Sequence, residues 1–179
     1  MKPLLDNKLL YFVKMGKKLS EMDGTVILDN FERNQPDLYQ SMFGIFADGI
    51  TETDNDMANF FLELCCDIII GYKLAFGNIT DMSKNADWLN KQSVLLNAEL
   101  NSIDVNEPMN SKFKDHLNNR LVDRSIESGL QLELLKYLND QVKDYASFKP
   151  SRRQAIHETN NLLFVVVRLM DDIYNSVKK

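Results

Sequence analysis

The residue types best suited to chemistry stand together at Arg152-Arg153-Gln154-Ala155-Ile156-His157, directly after Pro150-Ser151 interrupts the chain. A histidine takes or gives a proton near neutral pH, and a guanidinium stabilises negative charge developing on a phosphate or carboxylate. The Pro-Ser pair marks a break and a fresh helix start, which puts both arginines at the positive end of a helix. Two positive charges there are mildly unfavourable, so an acidic or phosphate partner is expected close by. An Asp or Glu from another helix would meet that need as well as any ligand.

An arginine and a histidine separated by four residues, at the head of a helix in an all-α bundle, resemble the signature of the HEPN family of ribonucleases. The resemblance rests on this hexapeptide alone. It implies a dimer whose paired arginines and histidines cleave RNA without a metal, with Arg152 steadying the phosphate and His157 transferring the proton.

A second basic grouping, His116, Arg120 and Arg124, recurs every four residues and so forms one stripe of a helix, with Lys112 and Lys114 nearby. It reads either as part of an anion or RNA surface, or as an amphipathic edge whose arginine stems cover the core. The acidic pairs Glu63/Asp67 and Asp171/Asp172 invite comparison with carboxylate metal sites in helical bundles. Such sites use Glu-x-x-His spacing, and here Phe113 stands three residues before His116 and Gln154 three before His157. No metal and no cofactor is therefore expected, and salt bridges between helices are the expected role of these acids. P-loop, dinucleotide-binding and Gly-x-Ser-x-Gly motifs are absent from the sequence.

A protein that binds another macromolecule, rather than an enzyme, is the function these observations favour, with the ribonuclease as the alternative. Several apolar side chains fall off the main helix faces: Phe164 and Val165 near the end of the chain, Leu132, and Leu62. Phe164, Val165 and Arg153 are the expected partner-binding residues, and self-association through one two-fold patch is the simplest use of such a surface. The net charge of −5 over 179 residues disfavours unspecific binding to nucleic acid.

These residues must be positioned by helices. Gly and Pro number only 7 and 4, too few for many short strands and their turns. Adjacent Cys65 and Cys66 cannot bridge one another without distortion, so two reduced thiols and a cytoplasmic location are expected. The segment 55–76 is apolar on most sides after Ile68, which predicts a helix sequestered at the centre. Its acidic residues and Lys73 argue against a membrane span. Val26-Ile27-Leu28 reads as helix because no second apolar run would pair with it as a strand. Turns or stops are expected at Asp23-Gly24, Gly49 and Gly77, an N-terminal cap at Thr53, and further helices over the regions of Trp88, Leu117 and Leu134. The expected architecture is a single all-α domain over 1–179, a compact bundle of six to seven helices wrapped around the central one.

Overall fold

The structure, a computed structural model, describes residues 6–19, 21–79, 88–89, 91–92, 131–146 and 150–176. The protein is an all-α bundle, with every regular element among the described residues helical. Helix α1 (Asp6–Gly16) meets α2 (Glu21–Asn34) through a tight turn, in which Lys18 N–H donates to Met15 O at 2.9 Å and Leu19 N–H to Gly16 O at 3.0 Å. The chain thus turns several residues before Asp23-Gly24, where the turn was expected. Asp23 and Glu21 instead occupy the first turn of α2, where carboxylates suit the positive helix end. Val26-Ile27-Leu28 is helical, as the sequence predicts.

Helix α3 (Pro36–Gln40) runs through a π-helical stretch (Ser41–Phe46) into α4 (Ala47–Thr51). The wider π turn shifts the helical phase of the residues after it. Leu38, Met42, Ala47 and Ile50 are buried, whereas Ile45 is 65% exposed. Gly49 does not stop the helix but lies inside α4.

The central helix α5 (Asn55–Phe76) has the bounds expected of it. Its N-cap is Asp54 rather than Thr53: the backbone is extended there and Asp54 Oδ1 accepts from Met57 N–H at 3.1 Å. Ile68, Ile69, Ile70, Gly71 and Tyr72 are all buried, so the helix is enclosed on every side through that turn. Full burial of one such aliphatic side chain contributes about 1.5–3 kcal/mol. Gly77 ends the helix at φ 87°, a conformation that suits glycine, and its N–H donates to Lys73 O at 2.9 Å. Helices α1, α2, α4 and α7 (Arg153–Ser176) pack against α5, and α6 (Leu132–Ala146) lies against α1 and α7.

Two glycines set how closely α1 approaches α5. A Cβ on Gly71 would lie 2.3 Å from Val13 Cγ2 and 2.9 Å from Val13 Cα, and one on Gly16 would lie 2.7 Å from Ile70 Cγ2. The absence of side chains at these positions lets the two backbones nearly touch. At the far end, a short 3₁₀ turn (Pro150–Arg152) leads straight into α7.

Candidate functional site

The arginine at the head of α7 points into the molecule. Arg152 is 6% exposed. Its Nε donates to Asp54 Oδ2 at 2.7 Å and its Nη2 to Asp56 Oδ2 at 2.5 Å. The guanidinium carbon also lies 5.6 Å from the centroid of Tyr145, whose ring stacks on Phe60 at 4.1 Å with the planes 3° apart. Asp54 uses one oxygen to cap α5 and the other to hold Arg152. Burial opposes both charges, but the mutual ion pair and the Met57 N–H outweigh it, so Asp54 is held below its usual value and Arg152 is lifted above its own. The acidic partner of Arg152 is therefore a pair of carboxylates at the start of α5.

His157 is exposed on α7, with Nε2 3.1 Å from Asn161 Nδ2. Arg152 faces inward and His157 outward, and the structure does not bring them to one cleft within the chain. Around them, Glu158 accepts from Gln154 Nε2 at 2.8 Å and from Thr53 Oγ1 at 2.9 Å, a further tie between α7 and the start of α5. Arg153 is exposed.

Of the other residues singled out in the sequence, Phe164 is half-buried and lines a pocket of about 130 Å³ with Leu135, Leu138, Asn139, Asn160 and Leu163. Val165 is 6% exposed, so its own chain already covers it and it does not form part of an open contact patch. Leu62 and Leu132 are half-buried. His116, Arg120 and Arg124 lie outside the described residues.

The acidic pairs separate. Asp67 forms an ion pair with Lys17 at 3.1 Å, while Glu63 is exposed. Burial raises Asp67 despite that partner, and Lys17 is raised because Asp67 outweighs its own desolvation. Asp171 is buried and accepts from Tyr72 Oη at 2.7 Å. No group of three or more His, Cys, Asp or Glu side chains is arranged to hold a metal among the described residues. Cys65 and Cys66 are free thiols. Burial drives Cys65 well above its usual value, and Cys66 is pushed up to about 11 by burial and then by Asp67. Both therefore stay protonated and poorly nucleophilic. Among the described residues no helix is long and apolar enough to cross a membrane.

Two features are not among the sequence-based expectations. Tyr11, Met15, Met22 and Val26 are exposed on α1 and α2, at 58%, 41%, 77% and 54%. Their angular offset from the buried Leu9-Val13-Gly16 row is a usable sign for the α1 pair. Asp171 shares a face with Val167 and Tyr174, so its burial is also inferable from helical spacing. Comparison of the chain with protein families, with curated proteins and with solved structures finds no match.

Proposed function

We propose that the chain is a helical binding module that works through protein–protein contact on the α1–α2 face, with a second copy of itself as the partner. The observation that carries this reading is the concentration of exposed large apolar side chains there. Four of the six found among the described residues are Tyr11, Met15, Met22 and Val26. Isolated exposed apolar residues are ordinary, whereas four of them on two consecutive helices are what a contact through those helices would use.

The charges around these residues support the choice of partner. Lys8, Lys14 and Lys18 are exposed on or beside α1, whereas Glu21, Asp23, Asp29 and Glu32 are exposed on α2. A two-fold arrangement sets each basic α1 against the partner's acidic α2, so the surface is complementary to itself. Such rim charges add little affinity in salt, but they orient the pair. The proposed contact lies on α1 and α2, whereas the sequence alone favours Phe164, Val165 and Arg153.

Sedimentation of the purified chain is expected to show a dimer, and the double substitution Met22→Lys with Val26→Lys to return a monomer with unchanged helical circular dichroism. A wild-type chain that stays monomeric at high concentration would remove the reading. The ribonuclease alternative requires Arg152 to leave Asp54 and Asp56. Metal-free RNA cleavage that vanishes in His157→Ala would favour it.

A further inference from the structure

Asp171 sits on α7 where that helix meets α5 and the residue that leads into α6. It is 8% exposed. Its Oδ1 accepts from Tyr72 Oη at 2.7 Å, and that hydroxyl, itself fully buried, also lies 3.3 Å from Val167 O. Its Oδ2 is buried with no hydrogen-bond partner. Gln131, 5% exposed, turns its backbone N–H toward the same carboxyl, and its side-chain Oε1 is likewise buried with no partner. Two acceptor oxygens on neighbouring residues thus lie buried with no donor.

Buried polar atoms in folded proteins almost always find partners, and a buried carboxylate oxygen with no donor disfavours the charged form of its carboxyl. A neutral carboxylic acid avoids that cost. We propose that the folded chain binds a proton at Asp171, on the oxygen that Tyr72 does not reach, and that losing it as pH rises loosens the junction of α5, α7 and the start of α6.

The charged and titratable groups around the site agree with this. Burial is the largest influence, and with the neighbouring charge of Asp172 it outweighs Tyr72, Arg168 and the Gln131 N–H, pushing Asp171 up to about 7. Tyr72 is itself raised well above its usual value, first by burial and then by Asp171, so it remains a hydroxyl donor. Tyr174 points its hydroxyl at Gly77 O, 3.4 Å away. On α5, Lys73 bonds Asn78. From α1, Lys14 lies over the Tyr137 ring and Lys17 pairs with Asp67.

The direction of the effect is set by linkage. An unfolded aspartate gives up its proton near its ordinary value of 3.8, whereas the folded one keeps it to about 7. Folding therefore takes up a proton between those values. The stability this group contributes is complete below the lower value and is lost as pH rises through the upper one.

Asp171→Asn is the diagnostic substitution, because the amide keeps an acceptor for Tyr72 and has no proton to lose. Thermal melts of the wild type are expected to fall between about pH 5 and about pH 8. The variant should lose most of that slope and melt at least as high as wild type at the alkaline end. Carbon-detected NMR of the unaltered protein should show the Asp171 carboxyl titrating near neutrality, a measurement that does not depend on any variant folding. A carboxyl that titrates at about 4, or a variant that melts lower with the wild-type slope intact, would overturn the proposal.

Discussion

Asp54 serves two helices with one carboxylate, since Oδ1 caps α5 and Oδ2 holds the arginine that begins α7. The two roles can be separated by substitution. Asn caps helices about as well as Asp but carries no charge for Arg152, whereas Ala does neither. In urea unfolding, Asp54→Asn should be less stable than wild type. Asp54→Ala should be lower again by about 1 kcal/mol, the usual value of a lost cap. Both variants also leave a buried guanidinium short of a partner, a change that folded proteins tolerate poorly. Asp54 is held below its ordinary value of 3.8, so its contribution is present above that pH and fades as pH falls through its folded value. The Asn variant should therefore flatten the acid limb of the stability profile. Asp171 acts on the opposite limb.

At the level of elements, the contact between α1 and α5 depends on what is missing from two side-chain positions. A methyl group at Gly71 would meet Val13 main-chain atoms that cannot move aside cheaply. Gly71→Ala should therefore lose stability by about 1–3 kcal/mol, even though alanine is the better helix former. Gly49 is the control. It is exposed inside α4 with no atom near a Cβ, so Gly49→Ala should gain up to about 1 kcal/mol. Chemical denaturation of the two variants side by side would check both signs.

The same elements show what was legible in the sequence. The bounds of α5, its cap at Gly77 and the helical state of Val26-Leu28 follow from local chemistry, which periodicity and turn residues report well. The misplaced turn at Gly24 and the stop at Gly49 have one cause. Glycine is only a weak helix breaker, and tertiary contacts decide its role. The exposure of Ile45 required knowing of a π turn, which no residue in Ser41–Phe46 announces. The partners of Arg152 were anticipated by type, as carboxylates from another helix. Their identity was not, because Asp54 and Asp56 are nearly a hundred positions away and only the packing of α7 on α5 brings them close.

For the whole molecule, the charge of −5 is unevenly distributed, with lysines on α1 and acids on α2. If two copies meet on that face, association and folding are linked. The melting temperature should then rise with protein concentration in the wild type and become independent of it in the Met22→Lys, Val26→Lys variant. Differential scanning fluorimetry over a hundredfold concentration range would show either behaviour.

The clasp between Arg152 and Asp54 joins positions 98 residues apart, while α1 through α5 are close neighbours along the chain. Entropy disfavours such a distant closure early in folding, so the clasp is expected to form after the rate-limiting barrier. Its strength then governs how long the native state lasts rather than how fast it is reached. In stopped-flow experiments the deficit of Asp54→Asn should emerge as quicker unfolding with nearly unaltered refolding, so the clasp acts as a brake on escape from the native state.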